Sequence, residues 1–339
     1  MSRSRKRPPV TISVDIRGAV AHGPARDRAL ALHGQLVAAG ETVDLVNINE
    51  SLVTLGDRTR GRVVFVCAET PDPASPLGRK FRHSFPFRRW LESCSAMVAG
   101  SLLSGIQRSS SFDKSVCRKV LRYNEIPVPP GLCRKTNTAI DTARIVQALG
   151  LPLIVKQARE SGVGVGVHLA DSLEKLDEFT RWHVESRRKD VVYEQFVKGR
   201  EFTVWIVERR GVPAPAGMIE FSKPAWNPLM DQGAKRRCRQ VRRFTRDTRY
   251  WPEAIVDPDL PPVERRLIEG AALASHRACG LRHYSRVDLI LTESGPVVLD
   301  VNANPELGGW LALCAEARGS TLGGVFRSLV MEAARENGR

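Results

Sequence analysis

The chain has 339 residues, 42% hydrophobic and 26% charged, the composition of an ordinary globular protein long enough for two or three lobes. Its net charge of +15, from 52 Lys+Arg against 37 Asp+Glu, favours anionic partners. No apolar run approaches the roughly eighteen residues that span a bilayer, and the seven scattered cysteines form no CxxC pair, so a membrane protein, a disulfide framework and a zinc site are not expected.

Residues 1–9 are basic and end in Pro8-Pro9, with no signal-like apolar core behind them; they read as a disordered lead-in, and a cytoplasmic enzyme is expected. Residues 10–16 alternate like a strand, and 25–39 carry Ala29, Leu32, Leu36 and Val37 at helical spacing with Gly40 just beyond. Short apolar runs at 43–46 and 63–67 complete a strand–helix–strand order, which implies a parallel α/β first lobe. The segment 70–89, rich in Pro, Ser, Phe and Arg, reads as a long loop.

A second unit opens near Gly100. A helix is predicted over 112–124, a strand over 153–156, a glycine-rich stretch over 161–166, a helix over 172–187 capped by Asp171 or Ser172, and strands over 191–196 and 202–207. The basic segment 223–252 lacks periodicity and reads as a loop over the site; within 235–249 eight Lys/Arg face a single acid, Asp247. Pro261-Pro262 opens a helix to about Cys279, with Gly280 as its stop. Strands over 285–291 and 297–301 flank Thr292-Glu293-Ser294-Gly295, a hairpin turn, and a last helix runs over 321–336.

Three stretches carry chemistry. In a strand, Arg286 and Asp288 share a face, as do Asp300 and Asn302. If those strands pair, a cation, two carboxylates and an amide oxygen converge, a donor set suited to Mg²⁺ on phosphates, although a solvated sheet face carries the same alternation. Lys156 precedes Ser161, Gly162 and Gly164, whose backbone N–H groups can cradle phosphate, although a surface hairpin would look alike. Backbone groups of Glu194-Gln195-Phe196-Val197 can pair with an adenine edge, and the Glu201 carboxylate can accept from ribose hydroxyls, although surface glutamates are common.

The order Lys114, Lys156 with its glycine loop, Glu194 and Glu201, Arg286-x-Asp288, then Asp300-x-Asn302 resembles the ATP-grasp superfamily. Within it the resemblance is closest to the D-alanine–D-alanine ligases, over roughly residues 90–335. The stretch Glu194-Gln195-Phe196-Val197-Lys198-Gly199-Arg200-Glu201 is the most specific match, and Pro305 beyond Asn302 fits as well. The resemblance implies an α/β (α+β) fold of three lobes, 10–100, 101–192 and 193–339, with ATP held between two antiparallel sheets and 223–252 as a mobile loop. It implies phosphate contacts from Lys114 and Lys156, a metal site of Asp288, Asp300 and Asn302 for two Mg²⁺ ions (or Mn²⁺), and catalytic roles for Arg286 and for Lys235 over the γ-phosphate. The implied activity is ATP-dependent joining of a carboxylate to an amine through an acyl phosphate.

Departures concern substrate. Gly162 or its neighbours stand where the family's glycine-loop serine holds the first alanine, Arg236 replaces the tyrosine after Ala234-Lys235, and the serines beyond the metal asparagine are absent. With Arg236, Arg237, Arg239, Arg242 and Arg243 nearby, an anionic or peptide-like natural-product precursor is expected rather than two D-alanines, and an acidic substrate or peptide could meet the 235–249 loop. A homodimer is the base expectation, and nucleic acid is not an expected partner. The alternatives are an ATP-grasp kinase or carboxylase, and a non-catalytic nucleotide- or nucleic-acid-binding protein.

Overall fold

Val63, Val64, Phe65 and Val66 are all buried, as an interior strand with both faces covered must be. In the computed structural model, which describes residues 10–14, 24–47, 51–66, 84–101, 113–135, 140–158, 166–186, 190–222, 253–305 and 307–337, this strand belongs to a wholly parallel sheet. The sheet comprises β1 (Val10–Val14), β2 (Val43–Asn47), β3 (Val63–Val66) and β4 (Met97–Ala99), in the order β2-β1-β3-β4. Val63 and Phe65 pack on one side with α1 (Pro24–Ala38); Val64 and Val66 pack on the other with α2 (Leu52–Thr59) and α3 (Ser84–Ser93). On α1, Ala29, Leu32 and Leu36 are buried, but Val37 lies round the edge and is 49% exposed.

Helix α3 falls inside the stretch read as a loop. Arg88 and Leu91, three apart, are both fully buried, and Pro86 stands in the first turn, where its missing N–H breaks no helical bond. Its Pro/Phe/Arg composition hides an amphipathic helix. Residues 67–83, and the lead-in 1–9, lie outside the described residues.

The second sheet is antiparallel, in the order β5-β8-β6-β7, from β5 (Gly131–Arg134), β6 (Leu153–Gln157), β7 (His168–Ala170) and β8 (Val191–Gln195). It is backed by α5 (Thr142–Leu149) and α6 (Leu173–Arg181), whose Ile145 and Leu176 join Leu153, Val155 and Tyr193 in one core. Ser172 caps α6 by accepting from Lys175 N at 3.3 Å. The helix ends earlier than its period suggests, passing into a π turn, Trp182–Ser186. Before this sheet, α4 (Lys114–Tyr123) is capped by Asp113.

The third sheet is also antiparallel, in the order β11-β10-β9-β12-β13, from β9 (Arg200–Arg209), β10 (Val212–Ser222), β11 (Glu253–Val256), β12 (Tyr284–Thr292) and β13 (Gly295–Asn302). The β12–β13 hairpin turns at Glu293-Ser294, as predicted, with Gly295 at φ +117°. One face, with Phe202, Val204, Val287 and Leu289, is covered by α7 (Pro262–Ala278) and by Cys117 and Leu121 of α4. The other face carries Trp205, Val207, Ile219 and Tyr284. It packs with α8 (Gly309–Ala317) and α9 (Leu322–Asn337), and α9 also closes onto Phe65 and Leu36 of the first lobe. No described helix is long and apolar enough to cross a membrane. Among the described residues, Cys94, Cys117, Cys133, Cys279 and Cys314 form no disulfide.

A polar knot joins the first and third sheets. Arg282 bridges Glu92 (2.8 Å) and Glu336 (2.9 Å) and donates to Gly100 O (3.2 Å). Gly100 N donates to His283 Nδ1 at 2.8 Å, which leaves the ring proton on Nε2, 3.0 Å from Glu336. Glu208, Glu332 and Glu336 bring their carboxylates within 4.8 Å, but His276, His283, Arg282 and Arg335 already engage them, so the cluster is ionic scaffolding. The His283 hydrogen bond, opposed by burial and reinforced by the charges of Arg282 and Arg335, lowers the Glu336 pKa. A depressed carboxyl contributes stability that is present above its unfolded value, about 4.3, and lost as pH falls through the folded value. Glu336→Gln is therefore expected to cost about 1–3 kcal/mol at pH 7. The gap to the parent protein should close as denaturant melts are repeated below about pH 4. A gap that stays constant with pH would remove the ionic account.

Candidate active site

Period two along each strand selects which side chains meet. On the α8/α9-facing side of the third sheet, the register aligns rows across strands. Asn302, Arg286, Trp205 and Gly217 form one row; Asp300, Asp288, Thr203 and Ile219 the next; Ile290, Glu201 and Phe221 the third. A bulge between Asp288 and Leu289 follows the acidic row. The predicted cation, carboxylates and amide thus lie side by side on one face.

Arg286 grips Asp288 with two contacts, Nε–Oδ1 at 3.0 Å and Nη2–Oδ2 at 2.9 Å, and Thr203 donates to the same Oδ1 at 2.8 Å. Lys114 reaches over from the start of α4 to Asp300 Oδ2 at 2.8 Å. The Asp113 cap aims it, with Oδ1 accepting from Ser115 N at 2.9 Å, while Lys114 N donates to Ala158 O at 2.8 Å just beyond β6. Burial pushes the Asp300 carboxyl up, but Lys114, Lys156 and Arg286 outweigh it and hold it at about 2. Burial likewise works against the Lys114 ammonium, and Asp300 more than restores it, raising its pKa. Asn302 Oδ1 accepts from Asn304 N at 2.9 Å, and Asn304 Oδ1 accepts from the buried Arg88 of α3 at 2.6 Å, so the turn beyond the acids is tied to the first lobe.

On the central sheet, Lys156 and Glu194 share a face of neighbouring strands and pair at 2.6 Å. Glu194 also accepts from Arg118 at 2.5 Å. Arg118 is one turn along α4 from Lys114, on the same side, a spacing visible in the sequence but with no motif to mark it. Glu194 is 2% exposed and its carboxylate is held between two cations. Gln195 is similarly turned inward, its Nε2 donating to Leu149 O at 2.6 Å, and Phe196 N donates to Pro152 O at 3.0 Å. Val197 continues the linker into β9, where Glu201 stands opposite Ile290 and Phe221. Thr203 joins the site without having been expected there, although it is two residues from Glu201 on one strand. Ser161, Gly162, Gly164, Lys235 and the 235–249 basic segment lie outside the described residues.

Two carboxylates, one of them firmly ionised, and an amide oxygen are hard ligands that fit Mg²⁺. The Lys114, Lys156 and Arg286 cations around them suit a polyphosphate.

The D-ala D-ala ligase C-terminus family matches residues 126–330. A D-alanine–D-alanine ligase of Desulforudis audaxviator is 26% identical over 208 residues, 60% of this chain and 62% of that protein. One from Cupriavidus metallidurans is 30% identical over 239 residues, 69% of this chain and 62% of that protein. The chain therefore aligns with less than two thirds of the length of these relatives. Among solved structures, D-alanine–D-alanine ligase from Bacillus anthracis complexed with ATP superposes with a TM-score of 0.71 at 18% identity, covering 97% of this chain and 99% of that one. D-alanyl-alanine synthetase A from Vibrio cholerae gives 0.71 and 18% over 97% and 99%. At that identity the likeness is one of fold.

Proposed function

The chain belongs to the D-ala D-ala ligase C-terminus family, and from that premise we propose that it is an ATP-dependent ligase that joins a carboxylate to an amine through an acyl phosphate. One observation carries the reading: Lys114, Arg286, Asp288, Asp300 and Asn302 converge on one sheet face with Asp300 held ionised.

A carboxylate is a poor acyl donor because oxide would have to leave. In the proposed reaction its oxygen attacks the γ-phosphorus of ATP, ADP departs, and the amine then attacks the acyl carbon with phosphate as leaving group. Little covalent work falls to the protein; it aligns the partners and neutralises charge. Lys114 and Lys156 would meet phosphate oxygens, which requires each to loosen its present carboxylate partner, Asp300 or Glu194. Arg286 would stabilise the oxyanion of the tetrahedral intermediate. Asp288, Asp300 and Asn302 would hold magnesium, which supplies charge neutralisation on the phosphates. Glu201 would accept from the ribose and the 194–197 linker would border the adenine.

The finer parts of the proposal are two metal ions, the lobe boundaries given above, a cytoplasmic homodimer, and an anionic or peptide-like natural-product substrate. The relatives' names make D-alanine the first compound to test. Purified protein with Mg-ATP should release ADP with some carboxylate–amine pair, and mass spectrometry should find the amide. A phosphoester or an added carbon dioxide would move the reading to a kinase or carboxylase. No turnover with any pair, together with steeply salt-dependent nucleic-acid binding, would end it.

A further inference from the structure

Trp205 stands on β9 in the row of Asn302, Arg286 and Gly217, directly opposite Arg286 across the ladder. It is 4% exposed, and among the described residues nothing accepts a hydrogen bond from its indole Nε1–H. Tryptophan's N–H can only donate, and a buried one normally finds an acceptor. Leaving such a donor unmet costs about 1–3 kcal/mol, so a retained orphan calls for a reason. The residues paired with it across the ladder offer no side-chain acceptor: the Arg286 guanidinium can only donate, and Gly217 has no side chain. Asp288, in the next row, is already claimed by Arg286 and Thr203.

We propose that Trp205 is a specificity-determining residue whose indole N–H is kept for an oxygen of the carboxylate substrate, next to Arg286. This rests on the ligase reading above. The choice of a carboxylate over a phosphate follows from the surroundings. The lysines suited to phosphate cluster around Asp300, one row away, whereas Trp205 belongs to the apolar core with Tyr284, Leu311 and Cys314. One neutral donor in apolar surroundings matches a single carboxylate oxygen better than a dianionic phosphoryl group. The donor also explains how specificity could survive loss of the serines expected beyond Asn302, since Leu311 in that stretch is fully buried in the same core.

Trp205→Phe keeps an aromatic ring and removes the N–H. In ¹H–¹⁵N spectra the parent has six indole signals and the variant should lose one, which assigns Trp205. That signal should sit at the upfield position of an unbonded N–H in the free protein, stay there with Mg-ADP alone, and move downfield when D-alanine or D-glutamate is added. With the probe that releases ADP, the variant should show a KM for that probe raised about 5–10-fold, with kcat and the KM for ATP unchanged. The proposal is overturned by a signal already downfield in the free protein, by one unmoved by both probes in a protein that binds Mg-ADP, or by a variant that loses kcat with KM intact. Failure to bind Mg-ADP would instead sink the ligase reading. A melting temperature equal to the parent's keeps the variant informative.

Discussion

Asp288→Ala is expected to lower ADP release at saturating substrates by about 10³-fold or more, with the fold intact. Removing a ligand of a phosphate-bound cation forfeits several kcal/mol of transition-state charge stabilisation, and each 1.36 kcal/mol is a tenfold change in rate. The change has a second consequence. Asp288 is the carboxylate that fixes both arms of Arg286 and the Thr203 hydroxyl, so its removal also frees the cation proposed to meet the oxyanion. Asp288→Asn separates the two effects, since an amide can still accept from Thr203 but offers no charge. Single-turnover measurements should find both variants slow in phosphoryl transfer. If Asp288→Ala retains more than a tenth of the parent rate, the metal assignment is wrong.

Glu194→Gln should be the most damaging of the buried polar substitutions, costing about 3–5 kcal/mol of stability. The carboxylate is nearly inaccessible and compensates two cations at once, Lys156 at 2.6 Å and Arg118 at 2.5 Å. Arg118 in turn donates to Pro129 O at 2.5 Å, so it cannot swing out to water without releasing the entry to β5. An uncharged amide of the same shape leaves both cations buried without a counter-charge. The penalty comes mostly from those stranded cations and less from the weakened hydrogen bonds themselves. Urea unfolding at pH 7 measures it, and a deficit below about 1 kcal/mol would mean that water reaches the pair in solution. Bound Mg-ATP should narrow the deficit, because phosphate would take over as partner of Lys156. Stabilisation by ligand follows from binding to the folded state alone.

Arg286 with Asp288, and Asp300 with Asn302, were legible as two pairs because strand geometry allows only two faces and residues two apart must share one; what brings the pairs together is the bulge after Asp288, since the two-residue hairpin alone would set Asp288 opposite Leu299. The parallel first sheet was legible for a similar reason, since β3 reads as an uninterrupted apolar run. Helix α3 was not, because Pro86 and a high Arg and Phe content mimic a loop until Arg88 and Leu91 are seen buried against the first sheet and Asn304.

By itself, the order of residues along the chain determined the α/β character, the hairpin and the roster of acids, cations and glycines, because these depend on periodicity and on spacing within single elements. Only the tertiary structure decided what each charge does. It put Glu194 between Lys156 and Arg118, set Lys114 on Asp300, and left without an acceptor the N–H of Trp205, whose backbone stands opposite that of Arg286. The physical reason is that burial and pairing are set by elements far apart in sequence, and a charge's partner in a low-dielectric interior is whatever the packing of those elements brings within about 3 Å.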